Sequence, residues 1–441
     1  MRIKFLSLLT AFLLTSIAIS SCLDTDTNYE FSADATVKAF ALDTIYGVDY
    51  PFTIDQVNRL IFNEDSMPIS ADTLIDSIKI TTFTAGYAIT SGVQDTVLNI
   101  DNYQDLSAAA TEGLTFTVHA ASGATRIYTL KINIHKQDPD SLQWTNMGDE
   151  VMDDMADFAT ANIRGKQRAV VFGPYLYIYV YNGMEDTYAY RTETESHNTL
   201  ERITLTGLPQ EADITSVCPH NGRLYMSLQS GDIYSSADGT AWQKEETLSG
   251  NVTTLIADFT GSLLAIVEHE GTNRFAQATD EGWTTGGELP EGFPTSHLYA
   301  TSYTTANFIP QLMIVGHTDG TDEKIIPWAF DGRSWAKMDP NSSYDSYCTT
   351  NDVGNYPAVI HYADNFYMLG EKLQWFYKSE NGLGWFRESR KFLPPAAVSM
   401  WGDYSLATDN ENYVWLVTGS NDATPNQLWR GRLNKLGFAR Q

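Results

Sequence analysis

The last two thirds of the sequence repeats itself, and an internal repeat restricts the possible folds more than any other feature. Six apolar runs recur from about residue 165 onward, each followed by a polar turn. Their last residues are 48, 39, 48, 54 and 48 positions apart, which suits a unit of four short β-strands. The repeat predicts a six-bladed β-propeller, and the runs are the expected second strands: Leu176–Val180, Leu224–Leu228, Leu263–Val267, Leu312–Val315, Phe366–Leu369 and Val414–Val417.

A second signal lies between the expected third and fourth strands, where an acidic or amide residue, a glycine and a tryptophan recur. We expect the Asp or Asn side chain to accept backbone N–H groups within the turn, while glycine takes a left-handed conformation and tryptophan packs on a neighbouring unit. These turns resemble the Asp-boxes of sialidases and other propellers, in which the box is structural. The residues are Asp238, Gly239 and Trp242; Asp280, Gly282 and Trp283; Asp331, Gly332 and Trp335; and Asn381, Gly382 and Trp385.

The last repeat stops before its fourth strand. A matching strand occurs much earlier, at residues 141–148, which contain Ser-Leu-Gln-Trp-Thr-Asn. We predict that this segment completes the last blade, so that the propeller spans residues 141–441 and has no exposed sheet edge at its closure.

The residues before the propeller form short runs that alternate with period two, as half-buried strands do. The clearest pair is Leu114–His119 and Arg126–His135, joined by a turn at Ser122 and Gly123. Residues 32–137 are therefore predicted to be a β-sandwich, and the closing hairpin resembles immunoglobulin-like or cadherin-like modules. We expect no metal in it, because the alternating acids of calcium-bridged cadherins are missing.

The N-terminus has the features of a targeting signal. Arg2 and Lys4 precede the apolar residues 5–19, and Ile19-Ser20-Ser21-Cys22 follows. This arrangement resembles the lipobox of bacterial lipoproteins, which implies a signal peptide of residues 1–21, acylation of Cys22 and a tether over residues 22–31. The resemblance implies an outer-membrane lipoprotein, on the periplasmic side or at the cell surface, with the membrane as a partner through its lipid.

The net charge argues against a nucleic-acid-binding protein, and the few cysteines leave two alternatives open. The 55 acidic and 28 basic residues give a net charge of −27, which is unsuited to binding nucleic acid. After Cys22 only Cys218 and Cys348 remain; they either form a disulfide or are two buried free thiols.

Lipobox, small β-sandwich and propeller together resemble an uncharacterised family of Bacteroidetes lipoproteins, catalogued as a domain of unknown function. The final phrase Leu428–Phe438 adds to the resemblance. The resemblance implies the all-β architecture and the source, and it implies no activity and no cofactor.

The sequence contains no zinc-protease motif, no phosphate-binding loop and no hydrolase nucleophile motif. The Phe/Tyr-Arg-Ile-Pro phrase of sialidases is also absent, and the nearest stretch is Gln167-Arg168-Ala-Val. We assign no catalytic or metal-binding residue.

The second strands are expected to end at the top face of the propeller, where ligands of propellers usually bind. The polar residues there form either a ligand-binding ring or ordinary solvated strand ends. The long loop 341–356 carries Tyr344, Tyr347 and Tyr356, and Trp401 precedes the sixth repeat; these aromatic residues either stack on sugar rings or pack their own loops. The candidate ligand-binding residues are Tyr181, Gln229, Glu268, His269, His317, Glu371, Tyr344, Tyr347 and Trp401.

The sequence thus favours a lipid-anchored, non-catalytic binding or scaffold module, with a glycan or an envelope protein as its ligand. The alternative is an exo-acting glycosidase or polysaccharide lyase at the channel mouth, with Glu268 and Glu371 as its acids. A third hypothesis is a structural subunit of an envelope complex. A fold that hosts many functions cannot decide among them.

Overall fold

A computed structural model describes the chain in ten segments, while the proposed signal peptide, Cys22 and most of the tether lie outside them. Described residues up to Asp138 form one compact unit, and those from Pro139 onward form a second. The segments are residues 30–91, 96–148, 151–153, 155–161, 166–181, 187–339, 347–372, 375–393, 404–419 and 425–435.

The first unit contains a five-stranded sheet in the order β2-β3-β8-β7-β5 and a three-stranded sheet in the order β1-β4-β6. One short helix, α1 (Asp72–Ile75), and two 3-10 turns, Ile69–Ala71 and Ser107–Ala110, lie between strands. The strands are β1 (Ala39–Leu42), β2 (Phe52–Asp55), β3 (Leu60–Asn63), β4 (Ile78–Thr84), β5 (Ala88–Ser91), β6 (Tyr103–Gln104), β7 (Leu114–His119) and β8 (Thr125–Lys131).

Both sheets of the first unit contribute to one hydrophobic core. Period-two alternation places Phe116 and Tyr128 inside, and Phe83 of the smaller sheet meets Phe116 edge to face at 5.3 Å between ring centroids. The turn between β7 and β8 has Gly123 at φ 87°, where a residue with a Cβ would be strained. A parallel pairing of β3 with β8 is a feature that the alternation did not predict, because alternation reports faces and not neighbours.

The second unit contains six four-stranded antiparallel sheets, numbered here along the chain. Short helices α2 (Met155–Thr160) and α3 (Thr350–Val353) and the 3-10 turns Ile214–Ser216 and Arg390–Phe392 lie in its connections. The first three sheets are β10 (Lys166–Phe172), β11 (Tyr175–Tyr181), β12 (Thr187–Glu193) and β13 (Glu201–Ile203); β14 (Cys218–His220), β15 (Arg223–Ser227), β16 (Ile233–Ser236) and β17 (Gln243–Lys244); and β18 (Val252–Phe259), β19 (Ser262–His269), β20 (Thr272–Thr279) and β21 (Gly282–Glu288).

The fourth to sixth sheets follow the same pattern until the last strand. They are β22 (Tyr299–Thr304), β23 (Pro310–Val315), β24 (Trp328–Phe330) and β25 (Trp335–Lys337); β26 (Ala358–Tyr362), β27 (Asn365–Leu369), β28 (Tyr377–Ser379) and β29 (Phe386–Arg387); and β30 (Tyr404–Thr408), β31 (Val414–Thr418), β32 (Gln427–Asn434) and β9 (Ser141–Asn146).

The first strands of the six sheets lie side by side in a closed circle. Each contacts the first strand of the next sheet, and β30 contacts β10. The second strands are almost wholly buried, as in β11 and β31, because each lies between two neighbouring sheets. The predicted apolar runs fall in these second strands, except that Leu228 lies one residue beyond β15. The prediction of an all-β protein with a β-propeller is confirmed.

The sixth sheet takes its outer strand from the start of the unit. Strand β9 pairs antiparallel with β32, with Ser141 opposite Asn434 and Trp144 opposite Gly431. The Trp144 indole N–H also donates to the carbonyl of Phe392 at 3.0 Å, which joins β9 to the end of the fifth sheet. A Cβ on Gly431 would lie 2.7 Å from the Trp144 ring, so only glycine leaves room for this indole.

Three of the predicted box-like turns share one hydrogen-bond pattern. In the second sheet, Oδ1 of Asp238 accepts the backbone N–H groups of Thr240 at 2.8 Å and Ala241 at 2.9 Å. Asp331 does the same in the fourth sheet with two N–H groups at 2.8 Å. In the fifth sheet the amide oxygen of Asn381 replaces the carboxylate, with N–H groups at 2.9 and 3.3 Å.

Each of these turns also contacts the preceding sheet. The hydroxyl groups of Tyr177 and Tyr179 donate to the carbonyls of Asp238 and Gly239, both at 2.9 Å. Gly239 has φ 73°, and a Cβ there would lie 2.5 Å from the Tyr177 ring. Gly332 and Gly382 likewise have positive φ and face side chains of the sheet before them.

The tryptophans that follow these turns pack between sheets. Trp242 meets Tyr179 edge to face at 5.9 Å, and Trp335 stacks on Phe275 at 5.2 Å. Trp385 is buried and its indole N–H donates to the carbonyl of Gly382 at 3.0 Å.

The shortened turn of the third sheet differs from the prediction. Asp280 is exposed, and no hydrogen bond to its carboxylate occurs among the described residues. The turn holds only two residues, because Thr279 pairs directly with Gly282 and Ala278 with Trp283. The residues two and three positions after Asp280, whose N–H groups the regular turns offer to their Asp or Asn, therefore belong to strand β21. Trp283 still packs inward and donates to the carbonyl of Leu248 at 2.8 Å.

The two cysteines of the second unit are free and buried, so the structure favours the free-thiol alternative over the disulfide. Cys218 lies in β14, while Cys348 precedes α3 in the connection between the fourth and fifth sheets. Burial raises the pKa of the Cys218 thiol to about 12.

We predict that Gly431→Ala destabilises the propeller by about 1–3 kcal/mol, because the added Cβ collides with Trp144 at the closing strand pair. Denaturant unfolding monitored by tryptophan fluorescence measures the change. Gly287→Ala in β21 is the control, since nothing lies within 4 Å of a Cβ there. Equal stability of the two variants would contradict the proposed collision.

We predict that Asp238→Ala and Asn381→Ala each cost about 1–2 kcal/mol of stability at neutral pH, because each leaves two turn N–H groups without their acceptor. The backbone N–H of Ala241 and further hydrogen bonds lower the pKa of Asp238 from 3.8 to about 2.

The stability penalties of the two variants should differ in acid. The stabilisation by Asp238 is complete above pH 3.8 and is lost as the pH falls through about 2, whereas that of the uncharged Asn381 does not titrate. Unfolding curves between pH 5 and pH 2 test this difference. A penalty for Asp238→Ala that stays constant over this range would refute the assignment.

Candidate functional site

One edge of the propeller, called here the upper edge, is where second strands end and first strands begin. Tyr299 at the start of β22 pairs with Val315 at the end of β23, and the other sheets follow this pattern. The predicted ligand-binding residues that follow second strands therefore lie along this edge. The box-like turns lie at the opposite, lower edge, where first and third strands end.

Four of the predicted residues remain apart. Tyr181 is half-buried against the core between the first two sheets, while Gln229, Glu268 and His269 are exposed at the ends of their own sheets. Among the described residues no hydrogen bond, ion pair or ring contact joins any of these four side chains to another. Tyr344 and Trp401 lie outside the described residues.

His317 belongs to an aromatic stack between the fourth and fifth sheets. Its ring lies on Tyr356 with a centroid distance of 4.5 Å and an interplanar angle of 15°. His297 closes the group, at 4.8 Å from the Tyr356 ring and 6.0 Å from the His317 ring. The three residues come from two sheet-to-sheet connections and one second-strand end.

Hydrogen bonds fix the orientation of His317 within this stack. Its Nδ1–H donates to the carbonyl of Asn355 at 3.2 Å, and Nε2 lies 2.6 Å from a carboxylate oxygen of Asp319. The Asn355 side chain in turn donates to the carbonyls of Thr318 at 2.5 Å and Gly320 at 3.3 Å. The connection that carries Tyr356 is thereby tied to the fourth sheet.

Glu371 joins the same group through the backbone of Asn355, whose N–H donates to its Oε1 at 3.2 Å. Gly354 makes this approach possible, because a Cβ there would lie 2.3 Å from the Glu371 side chain. Of the predicted ligand-binding residues, the structure thus brings His317 and Glu371 together. We call His297, His317, Asn355, Tyr356 and Glu371 the mouth cluster.

Two residues of the inner strands lie close to the mouth cluster or to the residues that follow it. The Tyr404 hydroxyl, at the start of β30, is within 2.9 Å of the carbonyls of both Tyr356 and Leu369. Burial raises the pKa of Tyr404 well above its ordinary value, so the phenol stays protonated. Arg168 of β10 donates through Nη2 to the carbonyl of Leu298 at 2.9 Å, and its guanidinium lies 3.7 Å from the centre of the Tyr299 ring.

Sequence reasoning did not select Arg168, His297 or Asn355. It used the ends of second strands as its guide, whereas these residues lie in or just before first strands. The useful signal would have been the sequences His297-Leu298 and Asn355-Tyr356-Pro357, which directly precede two successive first strands.

A cleft of about 410 Å³ opens beside His317 at the upper edge. It lies between the connection that enters the fourth sheet and the segment after β23, and both acidic and basic side chains line it, among them Asp319, Glu323, Lys324 and Lys337. The predicted Tyr347 is partly exposed, with the Lys324 ammonium 4.3 Å from its ring centre. The cleft therefore offers both negatively and positively charged side chains as hydrogen-bonding partners.

Two cavities lie at the lower edge. The larger, about 730 Å³, is bounded by Tyr303, Phe330, His361 and Phe366 between the fourth and fifth sheets. The smaller, about 340 Å³, contains His220, whose Nδ1 is 2.5 Å from a carboxylate oxygen of Asp258.

The described residues contain no group of three or more His, Cys, Asp or Glu side chains placed to hold a metal ion. No helix in this part of the chain is long and apolar enough to cross a membrane.

Comparison with known proteins finds no match among curated proteins. Among solved structures, the SapL1 lectin in complex with alpha methyl fucoside is 12% identical over 59% of this chain and 90% of that one, with a TM-score of 0.40. The Aleuria aurantia lectin, a fungal six-bladed β-propeller, is 12% identical over 61% and 93%, with a TM-score of 0.39. A Trypanosoma rangeli sialidase in complex with the inhibitor DANA is 9% identical over 72% and 57%, also with a TM-score of 0.39.

Identities this low say nothing about a shared activity. Family models, in contrast, cover nearly the whole sequence: residues 22–132 match the DUF6242 N-terminal domain, a domain of unknown function, and residues 138–441 match the DUF6242 beta propeller domain. The chain therefore belongs to the DUF6242 family.

Proposed function

We propose that this protein is a lipid-anchored, non-catalytic binding module of the bacterial cell envelope, and that the mouth cluster of its propeller binds a glycan. The observation that carries the proposal is Tyr356, a residue that is 40% exposed although its ring packs against His317 and His297. An aromatic ring that is both fixed and accessible offers a flat apolar face to a sugar without losing side-chain entropy on binding.

Polar groups of the kind that sugar recognition requires lie beside His317 and Asn355, the neighbours of this ring. Asp319 is almost fully accessible beside His317, Glu371 has one oxygen committed to Asn355, and the cleft beside His317 adds Lys324 and Lys337. Hydroxyl groups of a sugar both donate and accept, so carboxylates, ammonium groups and backbone carbonyls can all serve them. A few polar groups around an apolar surface are typical of small-molecule sites.

The glycosidase or lyase alternative has less support from the geometry. Glu268 belongs to the third sheet and Glu371 follows β27 of the fifth, so a whole sheet separates the two proposed acids. A glycosidase needs two carboxylates on either side of one bond. Glu371 is instead hydrogen-bonded to the Asn355 connection, which is a positioning contact.

We also propose an architecture and a cellular location for the protein. We take the six sheets as the blades of one six-bladed ring, and the first unit as an immunoglobulin-like or cadherin-like sandwich that spaces the propeller from the membrane. Cys22 would carry the lipid on an outer-membrane protein of a Bacteroidetes bacterium. An envelope protein is the second candidate ligand for the same face.

We predict that Tyr356→Ala weakens glycan binding by at least about tenfold, because a central aromatic contact commonly contributes more than 1.4 kcal/mol. A glycan array with the chain from residue 32 onward selects the ligand, and titration calorimetry measures its affinity. Tyr356→Phe keeps the ring and should retain most of the affinity. Tyr87→Ala, an 80% exposed tyrosine of the first unit, is the matched control.

The same experiment distinguishes the alternatives. Binding without cleavage products supports a recognition module, whereas products would favour the enzyme. If no glycan on the array binds and a pull-down recovers fixed protein partners, the envelope scaffold would be favoured. Glycan binding that Tyr356→Ala leaves unchanged would exclude the mouth cluster as the site.

A further inference from the structure

Arg168 is a buried cation near the centre of the propeller. It lies in β10, the first strand of the first sheet, and its residue is only 7% exposed. Its side chain reaches the carbonyl of Leu298 and the ring of Tyr299, at the start of the fourth sheet. The first and fourth sheets stand three places apart in a circle of six, so the side chain bridges the channel.

The partners of Arg168 are all uncharged. The carbonyl of Leu298 accepts one N–H at 2.9 Å, and the face of Tyr299 lies 3.7 Å from the guanidinium carbon. The buried Nε–H has no hydrogen-bond acceptor, and no carboxylate in the described segments forms an ion pair with this residue. A buried guanidinium is thus left with its Nε–H unused and with no described carboxylate at ion-pair distance.

Another buried arginine of the same ring shows the usual solution. The side chain of Arg430, in β32, is also 7% exposed, and its Nη2 lies 3.5 Å from Asp409 and 3.2 Å from Glu411. Two carboxylates therefore balance the charge of Arg430. At similar burial, Arg168 differs in lacking any such partner within the described part of the chain.

Burying an ion without an opposite charge nearby costs free energy, so we expect a group outside the described contacts to supply the counter-charge. A guanidinium presents several N–H groups in one plane, a geometry that matches the two oxygens of a carboxylate. The mouth cluster adjoins the contacts of Arg168: Tyr299 follows His297 by two residues, and the Tyr404 hydroxyl contacts the carbonyl of Tyr356. A ligand seated on Tyr356 would have its inner end toward the channel.

We propose that Arg168 binds the carboxylate of the ligand, and that the ligand of the mouth cluster is a carboxylated sugar of the uronic acid class. This inference rests on the proposed function and deepens it by naming the chemical class. Tyr356 supports the sugar ring, and Arg168 supplies the charge that selects an acid over the neutral sugar of the same ring.

The test compares matched pairs of sugars on the full chain. Titration calorimetry at constant ionic strength uses glucuronate against glucose and galacturonate against galactose, which differ only at the carboxylate. We expect one acid at least to bind, and to bind at least tenfold more tightly than its neutral partner. Arg168→Met should abolish that preference, and Arg168→Lys should restore part of it.

Arg202→Met is the matched control, because Arg202 also lies over a tyrosine ring, that of Tyr188 at 4.4 Å, but on the outer strand β13. It should leave the preference for the acid unchanged. If Arg168→Met does not fold, thermal unfolding of the unmodified chain replaces it. The acid should then raise the unfolding temperature, whereas the neutral sugar and sodium chloride at equal ionic strength should not.

The outcomes separate this inference from the proposed function. Neutral sugars that bind as tightly as the acids, with affinity lost in Tyr356→Ala, would overturn the role of Arg168 and leave the glycan site standing. A preference for acids that persists in Arg168→Met would also overturn it. An unmodified chain that binds neither the four sugars nor any arrayed glycan would overturn both proposals.

Discussion

The pairing of β9 with β32 is the contact on which the rest of the propeller depends. Two segments almost three hundred residues apart form one sheet, and Gly431 leaves space for Trp144 between them. Without this pairing the sixth sheet would expose an unpaired edge, and the first strands would have no fixed circle to close. The upper edge holds residues from several sheets at fixed distances because that circle is closed.

Contacts between neighbouring sheets give the circle its rigidity. Each regular box-like turn satisfies its own N–H groups with one side-chain oxygen and places a glycine against the preceding sheet. The tyrosine hydroxyls of β11 then bond to the second sheet across the gap. These turns are at the lower edge, so the upper edge remains free of structural repeats and can vary in its side chains.

Electrostatics distinguishes the upper edge from the rest of the molecule. The chain is strongly acidic, and its other well-buried arginine, Arg430, is balanced by carboxylates. Arg168 is the exception in the described residues, and it contacts Leu298 and Tyr299, which directly follow His297 of the mouth cluster. An aromatic face near an unbalanced cation is a combination that suits a ligand with a flat apolar side and one negative group.

The sequence by itself determined the β-propeller, because the spacing of the apolar runs and the chemistry of Asp, Gly and Trp turns are local properties. It also indicated an unknown-function family, and DUF6242 membership confirms this part of the resemblance. Only the tertiary structure decided which residues meet. His317, Tyr356 and Glu371 come from separate connections. Arg168 reaches Leu298 and Tyr299 from the other side of the ring, and Asp280 lost its predicted role because its turn is too short. Side-chain contacts across a channel depend on ring closure, which no local pattern encodes.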